Sequence, residues 1–384
     1  VQVSLRDARF RALVFQLVAL AAVVAGLAYL VSNTVTNLEA RKIASGFGFL
    51  SREAGFAIGE TTFIAYNAAD SYLRALTVGL ANTFRVALIG IALATIVGTV
   101  VGLARLSSNW LVSRLATLYV EVLRNVPLLV QLFFWYAIIS ENLPGPNAAL
   151  RPLPGIFLSN RGIAVPTLVT ESAHAWVLGA FVLGLLLAWR ITVWARRRQA
   201  RTGQQFHAFW TGLAVALGLP LLVFAGAGAP FQLQVPALAG FNFSGGATLT
   251  PEFAALLAGL TVYTASFIAE IVRAGVLAVQ RGQFEAANAL GLHRNLAMRL
   301  VVLPQALRVI VPPLTSQYLN LTKNSSLAVA IGFPDIVSIA NTAINQTGQA
   351  IEGIAIIMAV YLTISLSISA FMNWYNRRIA LVER

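Results

Sequence analysis

The chain contains no cysteine among its 384 residues. It therefore has no disulfide framework and no thiol chemistry. Charge is scarce as well. Asp, Glu, Lys and Arg together make up 11% of the residues, against roughly 25% in soluble domains, which excludes an ordinary soluble globular protein. Carboxylates are the scarcer sign: 14 Asp and Glu stand against 27 Lys and Arg, a formal net charge of +13. Lys42 and Lys323 are the only lysines, and neither follows a glycine. A GxxxxGK[ST] loop is thus impossible, so the chain cannot hydrolyse ATP by a Walker-type site. HExxH and GxSxG do not occur. The histidines, His174, His207 and His293, are scattered, so no metal site is expected. No catalytic constellation can be assembled, and the chain reads as something other than an enzyme, with no cofactor of its own.

Apolar residues are plentiful: 58% of the chain, with a mean hydropathy of +0.76. This is the composition of an all-α polytopic membrane protein, and about eight transmembrane helices can be drawn. A net charge of +13 raises nucleic acid as a partner. The basic residues, however, sit between apolar spans, where topology requires them, and no nucleic-acid partner is expected.

The first span has its apolar core from Leu13 to Val31 behind Arg6, Arg9 and Arg11. It reads as an uncleaved anchor with a cytoplasmic N-terminus, over residues 1–32. Residues 33–75 mix near-balanced charges with Gly and Phe and read as a periplasmic, partly interfacial segment. Residues 76–140 hold the next two spans. Gly98 and Gly102 form a small-xxx-small pair that permits close helix contact. Residues 141–249 begin with a Pro- and Gly-rich stretch, read as loop. Two further spans follow, joined by a basic loop with Arg190, Arg196, Arg197, Arg198 and Arg201. This loop reads as a topology determinant that also meets lipid. Residues 250–378 contain three more spans, with a proline kink at Pro312-Pro313, and 379–384 form a tail.

Between two of these spans lies RGQFEAANALGLHRNLAMRLVVLPQALR, residues 281–308. It reads as a short helix, a glycine break at Gly291, an amphipathic turn through Leu300 and a restart at Pro304. It is too short and too polar to cross a bilayer. Glu285-Ala286-Ala287, three residues, Gly291, nine residues, Val301, one residue and Leu303-Pro304 closely resemble the EAA loop of ABC importer permeases. The resemblance implies a coupling helix that docks in a groove of a cytoplasmic ATPase. Glu285, Ala286, Ala287, Gly291, Leu303 and Pro304 would carry the coupling.

Three further segments resemble the polar amino acid branch of that family. Glu121-Val122-Leu123-Arg124-Asn125-Val126-Pro127-Leu128-Leu129-Val130-Gln131 is similar to its E-x-x-R-G-T-P-L-L-x-Q motif, with Asn125 and Val126 in place of the commoner Gly and Thr. Tyr263 to Gly275 is similar to the segment before the EAA loop, and Lys323-Asn324-Ser325-Ser326-Leu327 to a K-x-[ST]-[ST]-L motif. Glu121 and Arg124, and again Glu270 and Arg273, stand three apart and can pair on a helix face. Ionised groups within spans default to function, and the alternative for each pair is a structural ion pair. Glu270 and Arg273 lie about 27 Å along their span, near the cytoplasmic face, which favours a gate or coupling role over a midplane ligand. Glu121, Arg124, Gln131, Glu270, Arg273, Lys323, Asn324, Ser325 and Ser326 are the candidates for a substrate pathway or gate.

The extra helix pair and Phe241 to Gly246 resemble the general L-amino acid and glutamate/glutamine/aspartate/asparagine permeases. The implied fold is a MetI-like type I ABC importer core of five helices, plus an N-terminal helix and an inserted helix pair. The implied function is ATP-driven uptake of polar or acidic L-amino acids and their amides by alternating access. Implied partners are ABC ATPase subunits that bind ATP and Mg, a second and related permease subunit, a periplasmic amino acid-binding protein and membrane lipids. An ion-coupled secondary amino acid transporter is the rival reading. It predicts inverted repeats and midplane carboxylates, and it leaves the EAA spacing unexplained.

With both termini in the cytoplasm of a bacterial inner membrane, Arg41, Lys42, Arg52, Arg74, Arg151 and Arg161 fall outside. Arg85, Arg124, Arg273 and Lys323 fall in spans, and the rest of the 27 fall inside. The excess is cytoplasmic, as the charge rule requires, and the EAA loop lies on that side.

Overall fold

The computed structural model describes residues 8–40, 45–169, 171–229 and 231–379. Helices dominate: α1 Ala8–Ala40, α2 Tyr72–Ala104, α3 Trp110–Asn125, α4 Leu128–Ala137, α5 Ser172–Thr202, α6 Ala208–Gly226, α7 Pro251–Leu277, α8 Arg281–Ala289, α9 Arg294–Ala297, α10 Leu303–Asn324, α11 Ile336–Thr347 and α12 Ala350–Ile379. Eight short strands join them: β1 Leu150–Leu153, β2 Ile156–Ser159, β3 Gly162–Val165, β4 Thr167–Leu168, β5 Leu233–Gln234, β6 Ala237–Ala239, β7 Asn242–Ser244 and β8 Ala247–Leu249. Seven helical stretches among the described residues are long and apolar enough to cross a membrane, and a bent pair makes an eighth. The chain divides into two compact units, residues 1–136 with 255–384, and residues 137–254.

In the first unit α7 is the most enclosed span. Small residues let its neighbours close on it. A Cβ at Gly98 of α2 would lie 2.6 Å from Ile268 Cβ, and one at Gly102 would lie 2.6 Å from the Ala269 carbonyl oxygen. The expected small-residue contact is therefore the α2–α7 seam. Gly259 meets Leu132 of α4, and Gly275 meets Ile310 of α10, so α7 touches three helices through glycine.

Residues 45–71 pack over one end of α2. Phe49, Ala54, Tyr72, Leu76, Ile336, Ile339 and Ala343 form a buried cluster, with Phe49 edge-on to Tyr72 at 5.7 Å. The Gly and Phe mixture thus serves packing. Beneath it Arg85 is paired with Glu60 and donates to Thr62 Oγ1 at 2.8 Å. Asn82 Nδ2 donates to the carbonyls of Glu60 and Pro334 at 3.0 Å each, so the chain reversal at Pro334 is tied to α2.

The side chains from Arg11 to Asn37 of α1 are exposed. The helix runs past the expected end of the span because its polar end bonds to itself. Thr34 Oγ1 donates to Leu30 O at 2.7 Å, and Asn37 Nδ2 to Asn33 O at 2.8 Å. The basic residues Arg6, Arg41, Lys42 and Arg384 lie outside the described residues.

The third span departs from a straight helix. α3 and the helix from Leu128 to Asn142 meet at 105°. Pro127 has no N–H and disfavours helical backbone at Val126 before it; Val126 is extended, with φ −92° and ψ 125°.

The second unit shows structure where the sequence reads as loop. β1, β2, β3 and β8 form an antiparallel sheet, with Phe157 opposite Ala164 and Ile163 opposite Leu249. β4 pairs with β5, and β6 with β7. Pro154-Gly155 and Asn160-Arg161 are turns between short apolar runs, which is a hairpin pattern. The density of Pro and Gly hid those runs. α5 and α6 then form an antiparallel hairpin.

Candidate coupling surface and polar cavity

α8 is a nine-residue helix with Glu285 and Ala286 exposed and Ala287 2% exposed. Ala287 has no bulk beyond its Cβ, so this face lies close to its own chain while its neighbours face out. The helix stops at Gly291, which has φ +75°. Gly291 N donates to Asn288 O at 2.9 Å and Leu292 N to Ala287 O at 3.1 Å. This is a Schellman ending, which needs the left-handed backbone that glycine adopts freely. The glycine of the Glu-Ala-Ala-x-x-x-Gly pattern is therefore a helix terminator. Leu290, just before it, is 81% exposed, so the end of α8 presents an apolar side chain beside Glu285 and Ala286.

The chain does not restart at Pro304 as the sequence suggests. α9 leads through a π-turn, Met298–Val302, directly into α10. The wider turn suits a proline at the first helical positions, since no N–H is lost there that the helix needs. Leu303 is exposed and Pro304 half-buried. Gln305 Nε2 donates to Gln283 Oε1 at 3.1 Å, which ties α10 to α8. Pro312 and Pro313 lie within α10 without interrupting it.

The Glu270–Arg273 pair forms as the spacing predicts, at 2.6 Å. Arg105 also pairs with Glu270. Arg105 reads in the sequence as a loop residue; it caps the C-terminal end of α2, and the Gly98/Gly102 seam brings that end to Glu270. The Glu121–Arg124 pair is different. Among the described residues no ion pair joins them. The Arg124 guanidinium lies over the Phe267 ring at 5.0 Å instead, a cation–π contact. Both side chains are exposed.

These groups line one cavity of about 430 Å³, with Arg105, Glu121, Arg124, Asn125, Phe267 and Glu270 in its wall. The sequence marks Glu121, Arg124 and Glu270 for it; Asn125 appears there only as a motif departure, and Arg105 and Phe267 are additions of the fold. Glu270 is held between two guanidiniums. The Glu121 carboxylate and the Arg124 guanidinium are charges of opposite sign not spent on each other.

Gln131 is 4% exposed and braces the bend. Its Nε2 donates to Leu123 O at 2.9 Å and Val126 O at 3.0 Å, carbonyls that Pro127 leaves without a helical donor. Lys323, Asn324, Ser325 and Ser326 stand at the far end of α10, where it tightens into a 3-10 turn, Ser325–Ile331. Ser325 Oγ donates to Thr322 O at 2.7 Å and Ser326 Oγ to Lys323 O at 2.8 Å. Both hydroxyls thus secure the turn, and the Lys323 side chain is exposed.

A sequence profile for the binding-protein-dependent transport system inner membrane component matches residues 90–381. The chain belongs to this family. It is a multi-pass membrane component of a transport system, an ABC permease subunit and not an enzyme. The inner membrane component is 48% identical over 381 residues to the general L-amino acid transport system permease protein AapQ of Rhizobium johnstonii, covering 99% of this chain and 95% of AapQ. It is 50% identical over 382 residues to YhdX of Escherichia coli, a putative amino-acid ABC transporter permease protein, covering 99% and 97%. It is 41% identical over 410 residues to BztB of Rhodobacter capsulatus, a glutamate/glutamine/aspartate/asparagine transport system permease protein, covering 98% and 96%.

Proposed function

We propose that the chain is the membrane subunit of an ATP-driven importer of amino acids, with polar and acidic L-amino acids and their amides as its range. Its similarity to the amino acid permeases AapQ, YhdX and BztB supports the substrate class. The single observation that carries the mechanism is α8: a short helix with Glu285, Ala286 and Leu290 facing outward, ended by Gly291 and tied to α10. α8 docks on a cytoplasmic ATPase subunit, which binds the ATP and Mg that this chain has no loop to hold. ATPase closure moves α8, and α10 passes the movement to the spans. The cavity with Glu121 and Arg124 is the pathway or gate. An amino acid carries an ammonium and a carboxylate, and these two side chains, joined by no ion pair among the described residues, offer one partner for each. A second, related permease chain completes the pathway, a periplasmic binding protein delivers the substrate, and both termini are cytoplasmic.

The test is uptake of a panel of labelled amino acids into vesicles holding this chain, its co-permease, ATPase and binding protein. Glu285→Arg runs beside wild type. Uptake that requires ATP and is lost in Glu285→Arg, with the subunits still inserted, supports the reading, and the panel names the substrate. Uptake driven by a proton or sodium gradient without ATP overturns it.

A further inference from the structure

The α5–α6 hairpin carries five arginines and no carboxylate. Between Glu171 and Glu252 the sequence contains neither Asp nor Glu, while Arg190, Arg196, Arg197, Arg198 and Arg201 all fall on α5. The contacts that Arg198 makes within the unit are neutral. Arg198 donates to Gln204 Oε1 at 3.1 Å and lies 5.5 Å from the centre of the Trp194 ring, which itself meets Phe206 edge-on at 5.3 Å. Five fixed cations with no local anion make a surface that attracts an external one.

The helix register places that surface against a bilayer. A Cβ at Gly184 would lie 3.0 Å from Ala216 Cα, and one at Gly212 would lie 3.3 Å from Ala188 Cβ. The helices run antiparallel, so Thr192 is level with Ala208, the first residue of α6. The 19 residues of α6 are about 28 Å long, close to the thickness of a hydrocarbon core. The 31 residues of α5 reach about 46 Å and overrun it. Arg196 therefore stands about 6 Å beyond the start of α6, at headgroup depth.

An apolar groove of about 260 Å³ runs down from this point between the helices, lined by Leu185, Ala188, Trp189, Thr192, Phe209 and Leu213. On α5 the positions Leu185, Trp189, Thr192 and Arg196 follow one another at four-, three- and four-residue steps, so they share a face. The groove leads from hydrocarbon depth to an arginine. The first turn of α6, which has no side-chain cap, closes the same end and adds partial positive charge.

We propose that this end of the hairpin is a binding site for an anionic phospholipid, with one acyl chain in the groove and the phosphate headgroup at Arg196, Arg197 and the start of α6. Charge selects this occupant: a neutral lipid fills the groove equally well but leaves the arginines without a counterion.

The full chain would be placed in phosphatidylcholine nanodiscs into which phosphatidylglycerol is titrated, with brominated acyl chains on one lipid at a time. Quenching of Trp189 is read as the part of the tryptophan signal that Trp189→Phe removes. Bromine on phosphatidylglycerol quenches Trp189 several-fold more than the same mole fraction of bromine on phosphatidylcholine. Arg196→Gln with Arg197→Gln lowers that preference by up to about fivefold for each arginine, and the corresponding lysine pair retains most of it. Equal quenching by both lipids overturns the proposal, as does a preference untouched by the glutamine pair. Shielding of Trp189 from bromine on either lipid overturns it too, since another protein segment then fills the groove.

Discussion

Glu270 holds two guanidiniums at once, and the two are not equivalent. The Arg105 side chain is 12% exposed and that of Arg273 is 33% exposed. Surface ion pairs are worth about 0–1 kcal/mol, and breaking a buried one costs about 3–5 kcal/mol. Arg105→Gln should therefore cost more stability than Arg273→Gln, and Glu270→Gln should exceed either because it leaves two cations facing each other. Double-mutant cycles in thermal unfolding check the order. Asp335 poses a different problem. It is fully buried, caps α11 by accepting from Ser338 N at 2.8 Å, and faces Tyr361 OH at 3.5 Å. Burial pushes its carboxyl up to about 7, against the lowering effect of the Ser338 N–H. A carboxyl raised above its unfolded value contributes stability in full below that value, about 3.8, and loses it as pH rises through about 7. Thermal stability of the wild type should decline across that window, while Asp335→Asn, which keeps a capping oxygen, should flatten this part of the profile. A profile unchanged by the substitution would assign the decline to other groups.

At the scale of elements, the spans were legible because long apolar runs without charge admit few alternatives. Gly98 and Gly102 made a close contact of α2 legible, though not that α7 is its partner. The bend at Pro127 was not legible, because Leu128-Leu129-Val130 continues the apolar run and hides the break; its signals were the proline and a glutamine four residues after it. Glu121 and Arg124 show the limit of spacing arguments. Three apart on a helix they are able to pair, yet Phe267 from another helix takes the guanidinium, and no local pattern reports that. The seam itself yields a prediction. Gly102→Val places its Cβ about 2.6 Å from the Ala269 carbonyl and 2.9 Å from Val272 Cβ, so the helices must part. Since Arg105 reaches Glu270 across the same seam, the ion pair should weaken with it. Gly26→Val on α1, where nothing lies within 4 Å, is the matched control. Unfolding midpoints in detergent should fall clearly for Gly102→Val and barely for Gly26→Val.

The whole molecule places its two most motif-rich segments at the ends of one helix. Past the Gly291 stop of α8, α9 and the π-turn lead directly into α10, whose 22 residues extend about 33 Å to Lys323 and the 3-10 turn. Gly275 packs against Ile310 on the way, so α10 cannot shift without moving α7 and the cavity wall that includes Phe267 and Glu270. A push on α8 reaches the cavity only if the joint at residues 298–302 is stiff. Arg299 and Leu300 are both exposed, so replacing them with glycine removes no core packing but costs about 1 kcal/mol of helix propensity at each position. In the reconstituted transporter, Arg299→Gly with Leu300→Gly should leave subunit assembly and ATP hydrolysis in place while uptake falls, so that more ATP is hydrolysed per molecule imported. An unchanged ratio would mean that motion of α8 reaches the cavity by another route, with the Gln283–Gln305 bond between α8 and α10 as the next contact to cut.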